Sequence, residues 1–145
     1  MHDVELRVPP DVQYVGLARL VVTTAARQAG MSNDRIEDLK IAVSEATANA
    51  IAAHQRAGDN EAVSLVFGTA NADQFAVTIA DAGPVSDEDT ADSIGARSWN
   101  NDGSLSVTLI RGLADVVDFE GEAGMSVHMR FAVGQSRAPQ GAGDL

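Results

Sequence analysis

The run from Ser32 to Gln55 constrains the fold more than any other part of this 145-residue sequence. Ile36, Leu39, Val43, Ala46 and Ala50 recur at spacings of three and four, the period of a helix with one apolar face. Ser32 or Asn33 caps its start, and the pattern reaches His54 or Gln55. Such a stripe needs a second layer to bury it, and the remaining sequence supplies strands. Val4, Leu6 and Val8 alternate with Glu5 and Arg7 until Pro9-Pro10. Asp11 caps a helix to about Gln28, which Gly30 ends. Val63, Leu65 and Phe67 predict one strand and Phe75, Val77 and Ile79 the next, with Ala72-Asp73-Gln74 as a hairpin turn. Further on come a short helix from Ser104 to Leu113, a strand from Asp115 to Phe119, a turn over Gly121 to Gly124 and a last strand from Met125 to Val133. Strands and helices mix without strict alternation, which argues for a sheet covered by helices on one face.

The length suits one domain, over residues 1–133, and the tail from Gly134 to Leu145, rich in Gly, Pro, Gln and Ser, is expected to be disordered. The stretch from Asp81 to Asp102 has little apolar periodicity, and a loop that long inside a domain is usually functional or mobile. No apolar run approaches a membrane span, and no charged-then-apolar leader opens the chain, so a soluble cytoplasmic protein is expected. The absence of cysteine excludes disulfides, thiolate zinc sites and cysteine nucleophiles. Ten basic against twenty-one acidic residues give a formal charge of −11, which repels phosphate backbones and argues against DNA or RNA as a direct partner. A basic protein, or a nucleotide held through a metal and backbone dipoles, stays open.

Three segments carry candidate chemistry. On the long helix each residue turns by about 100°, so Glu45 and Asn49 lie about 40° apart and away from the Val43, Ala46 and Ala50 stripe. An amide oxygen is a fair ligand for Mg²⁺, and a carboxylate can deprotonate an attacking hydroxyl. Taken alone, the spacing describes a solvated polar face in most helices. Asp81, at a strand end and followed by Ala82-Gly83, is placed either to accept a hydrogen bond from an exocyclic amine or simply to cap a turn. The Gly103-Ser104 start of the last helix exposes N–H groups that favour phosphate, or is a plain N-cap. The three histidines, His2, His54 and His128, are scattered, and His54 is expected to meet carbonyls at its helix end.

Together, in order and spacing, these segments resemble the Bergerat (GHKL) ATP-binding module, and more narrowly the RsbW-like anti-sigma-factor serine/threonine kinases. The wording Val43-Ser44-Glu45-Ala46-x-x-Asn49-Ala50, with His54 after it, is similar to that group's N box, and the resemblance runs over about residues 3 to 133. It implies an α+β fold: a two-layer α/β sandwich with a mixed, mainly antiparallel sheet and helices on one face. It implies ATP between the helices and a mobile lid, with Mg²⁺ held partly by Asn49. Glu45 would be the general base on a Ser or Thr of an anti-sigma-factor antagonist with a STAS domain. Asp81 would recognise adenine, Gly83 would let the ring lie close, and Gly103, Ser104 and Thr108 would line the ATP site. Arg19, in Ala18-Arg19-Leu20, matches the family arginine that contacts the alternative sigma factor and the antagonist. The family also tends to form homodimers through a sheet edge.

Two departures bear on activity. Where the family carries a Gly-x-Gly turn, this chain has Ser104-Leu105-Ser106, whose side chains crowd a phosphate and remove access to positive φ. Pro84 follows Gly83, where the family often has a second flexible position. Both predict weakened ATP binding. They keep a non-catalytic partner-switching module with a degenerate nucleotide site as the alternative to a kinase. A detached histidine-kinase catalytic domain is less suited, because no helical dimerisation segment with a phosphoacceptor histidine is present.

Overall fold

Period-two alternation places five strands in one sheet, and the apolar side of each faces the helices. The computed structural model describes residues 3–58, 60–81, 104–120 and 126–134. Along the chain these form β1 (Val4–Val8), α1 (Val15–Gln28), α2 (Asn33–Ala57), β2 (Val63–Asn71), β3 (Gln74–Asp81), α3 (Ser104–Leu113), β4 (Val116–Glu120) and β5 (Ser126–Ala132). The strand order is β1-β2-β3-β5-β4. Every pairing among the described residues is antiparallel, so the parallel component of a mixed sheet is not found among them.

The register explains the core. Leu6, Leu65, Ile79, Val127 and Phe119 stand in one row across all five strands, and Phe67, Val77, Met129 and Val117 in the next. These rows pack against Ala18, Val22 and Ala26 of α1, Leu39, Val43, Ala46 and Ala50 of α2, and Ile110 of α3. The alternate row, Glu5, Val66, Thr78, His128 and Asp118, lies on the face away from the helices. Among the described residues the helices therefore form one layer, and the expected two-layer α+β sandwich is the observed one.

Local chemistry sets the element ends. Asp11 accepts the Gln13 N–H at 3.0 Å, but it caps a 3₁₀ turn over Val12–Tyr14, and α1 proper begins at Val15. Tight 3₁₀ turns are common at helix starts, and the sequence pattern does not separate them from an α-helical turn. Ser32 Oγ caps α2 through the Arg35 N–H at 3.3 Å, and Gly58, at φ 75°, ends it in the left-handed region, a little beyond the boundary read from the sequence. The β2–β3 connection is tight: Asn71 pairs with Gln74, and Asn71 Oδ1 accepts the Asp73 N–H at 2.9 Å. β4 begins at Val116, one residue later than the sequence pattern indicates, and Asp115 takes another role.

That role is in a buried ion cluster. Arg35, in the first turn of α2, is only 1% exposed. Its guanidinium donates to Asp38 Oδ2 at 2.6 Å, to Asp115 Oδ2 at 2.7 Å and to the Leu113 carbonyl at 3.3 Å. It also stands 5.4 Å from the Phe131 ring centre. Asp115 Oδ2 further accepts the Ala132 N–H at 2.7 Å, and the Asp115 N–H donates to Arg130 O at 2.9 Å. One arginine thus joins the start of α2, the end of α3 and the β4–β5 pair.

Candidate functional site

The direction of α2 fixes which end of the sheet it serves. Its start is at the β2–β3 turn, because the Ser32 N–H donates to Val133 O at 3.0 Å and the Val133 N–H donates to Asp73 O at 2.8 Å. Its end leads through 58–62 into Val63, and Val63 pairs with Asp81. The Glu45–Asn49 half of α2 therefore runs toward the end of the sheet where β3 finishes.

Around α2, Val43, Ala46 and Ala50 are buried against the sheet, as the apolar stripe requires. Glu45 and Asn49 are half-buried rather than solvated, with Ala48 and Ala52 beside them in the same condition and Ile41 exposed. Asn49 Nδ2 is enclosed and meets no hydrogen-bond partner among the described residues. An enclosed, unmatched amide costs about 1–3 kcal/mol, so the site is complete only when something supplies the missing contact. In this orientation Nδ2 would donate to a phosphate or water oxygen. Turned by a half-rotation, the same edge offers Oδ1 to a cation, because the two ends of the amide are assigned by their surroundings. These properties fit a nucleotide accompanied by Mg²⁺.

The remaining candidates fall in different places. Asp81 is the last residue of β3, at the strand end the sequence indicates. Ser104 is the first residue of α3, and Thr108 lies on an exposed part of that helix. Gly83 and Gly103, with Pro84, lie outside the described residues. Arg19 is half-buried on α1, and its Nη1 donates to Ser44 Oγ at 3.3 Å, which sets the guanidinium one residue from Glu45 along α2. His54, in the last turn of α2, is 1% exposed. Sequence reasoning did not single out Arg35. An arginine beside Asp34 in a first helical turn reads as a solvent-facing residue, and its partner Asp115 is far along the chain.

The order of strands and helices, with a long helix bearing a carboxylate and an enclosed amide, is that of a known domain class. A profile described as the histidine kinase-like ATPase domain matches residues 8–131. The chain belongs to that family and, within it, to the RsbW-like anti-sigma-factor kinase group. It is 34% identical over 133 residues to a serine-protein kinase RsbW of Staphylococcus aureus (strain MSSA476), covering 87% of this chain and 84% of the relative. It is 35% identical over 133 residues to the serine-protein kinase RsbW of Bacillus subtilis (strain 168), covering 87% and 82%. With that of Bacillus licheniformis it shares 32% over 151 residues, covering 95% and 90%. Among the described residues no helix is long and apolar enough to cross a membrane.

Proposed function

We propose that this protein is an anti-sigma factor. In this reading it holds an alternative sigma factor away from transcription and phosphorylates a STAS-domain antagonist on Ser or Thr with ATP. The observation that carries the catalytic part is the enclosed Nδ2 of Asn49, without a partner among the described residues, one helical turn from Glu45. The relatives named serine-protein kinases supply the reaction class. Asp81 is assigned to adenine, with Gly83 beneath the ring, and Gly103, Ser104 and Thr108 to the ATP site. Asn49 would hold Mg²⁺, which supplies neutralisation of phosphate charge. The Glu45 carboxylate takes the proton from the acceptor hydroxyl as its oxygen bonds to the γ-phosphorus, and ADP departs with the electron pair of the broken P–O bond.

Arg19 is assigned to the partner surface. Its side chain is braced on Ser44, so a partner docked there would sit beside Glu45. The negative net charge suits a partner with a basic, nucleic-acid-binding face. Self-association by a sheet edge falls to β1 rather than β4. Glu5 and Arg7 are complementary in an antiparallel pair, whereas Asp118 and Glu120 repel their own copies. Such a protein works in the cytoplasm.

The alternative is a non-catalytic switch with a degenerate nucleotide site, motivated by Ser104-Leu105-Ser106 in place of glycines. Labelled ATP with the cognate antagonist separates the two readings. The kinase reading expects transfer by the wild-type protein. It also expects Glu45→Ala to retain ATP while losing transfer by about 10²–10⁴-fold, the usual share of general-base catalysis. No saturable binding at millimolar ATP–Mg²⁺ rejects the kinase, and near-normal transfer by Glu45→Ala removes Glu45 as the base.

A further inference from the structure

We infer that Arg35 is a positioning residue for nucleotide binding, acting through α3 from the end remote from the ligand. The inference rests on the reading that the Ser104 end of α3 faces the phosphates.

The placement of Arg35 is unfavourable for its own helix. A cation in the first turn of α2 meets the positive end of that helix dipole. The guanidinium reaches instead to the Leu113 carbonyl, at the negative end of α3, where a cation is favoured. Burying it costs several kcal/mol unless it is paired, and the partners recruited are Asp38 and Asp115. Asp115 in turn binds the Ala132 N–H at the end of β5, so the end of α3 is tied through the arginine to the strand next to the β4 edge. Arg111, in the last turn of α3, stands 5.0 Å from the Phe119 ring centre on β4 and adds a second tether at that same end. By the described contacts α3 is thus fastened at Leu113, beside the start of α2, and packs along α2 from there.

The consequence is leverage. Ten residues make a rod about 15 Å long, so a tilt of about 4° at the fastened end moves the Ser104 end by about 1 Å. A displacement of that size forfeits an aligned N–H contact to charged phosphate, worth about tenfold or more in affinity. Arg35 touches no ligand in this scheme. It sets where α3 points.

The test is ATP–Mg²⁺ titration of the full chain by calorimetry, with thermal unfolding measured on each variant. Arg35→Met is compared with Val22→Ala, a core change on α1 away from the cluster. Arg35→Met is expected to weaken ATP by about tenfold or more while Val22→Ala stays within about twofold, with Arg35→Lys between them because it restores charge without the planar fork. The inference is overturned if Arg35→Met binds ATP within about twofold of wild type, or if Val22→Ala loses as much affinity at similar loss of stability. Where Arg35→Met does not fold, Arg35→Lys and Asp115→Asn are held to the same criteria. Wild-type protein without saturable ATP binding would instead defeat the underlying reading, an outcome distinguishable because it precedes any substitution.

Discussion

At the scale of single residues, Glu45 and Asn49 share one side of α2, and the Asn49 Nδ2 is enclosed with no partner among the described residues. The Glu45–Asn49 pair was legible because helical geometry is local: a spacing of four fixes the angle between two side chains whatever surrounds them. What the spacing could not supply was enclosure, and the structure adds it by burying Asn49 Nδ2 with no partner among the described residues. Arg35 was illegible for the opposite reason. Its burial depends on Asp115 and Leu113, which only the folded chain brings to α2. The enclosed amide leads to a direct expectation. Asn49→Ala removes an enclosed Nδ2 that no described residue satisfies, so the apo fold should lose little stability or gain some. The same change should weaken Mg-dependent ATP affinity by about tenfold, the cost of one good polar contact. Parallel thermal unfolding and calorimetry check both, and unchanged ATP affinity would take Asn49 out of the site.

At the scale of elements, most helices and strands followed from period alone, and their ends from capping chemistry. The strand alternation in Val4–Val8 and around Phe75–Ile79 predicts which side chains face the helices, and the register shows them doing so. The 3₁₀ turn after Asp11 escaped because an Asp cap serves either helix type. The β2 extension to Asn71 escaped because Gly68, Thr69 and Ala70 break the apolar alternation, while a register shift between Thr69 and Asn71 absorbs the extra residue. α2 is held at its two ends by different devices, Ser32 before it and the positive φ of Gly58 after it. Ser32→Ala and Gly58→Ala should each cost about 1 kcal/mol. The two sites are far enough apart for the costs to add, to about 2 kcal/mol in the double variant. Urea midpoints at unchanged slope are the measurement, and a marked departure from additivity would show that the helix does not respond as two independently capped ends.

At the scale of the whole molecule, charge is the property composition reports most directly. A formal charge of −11 surrounds a protein assigned to hold a basic partner. Association of that kind is steered over about one Debye length, roughly 10 Å at 0.1 M salt. Stopped-flow mixing with the sigma factor should show the on-rate falling by about tenfold between low and high salt while the off-rate changes little. An on-rate indifferent to salt would mean that the charge takes no part in recognition. The strand order itself was not readable from the sequence, because pairing β3 with β5 and placing β4 outside depends on contacts across the α3 crossover. That order has a practical side. Val133 is stitched beside Asp73, at the rim opposite the one where β3 finishes, about 27 Å along the strand direction from Asp81. A chip or bead attached at position 134 would therefore grip the protein by its back and leave the front rim turned toward the flowing solution.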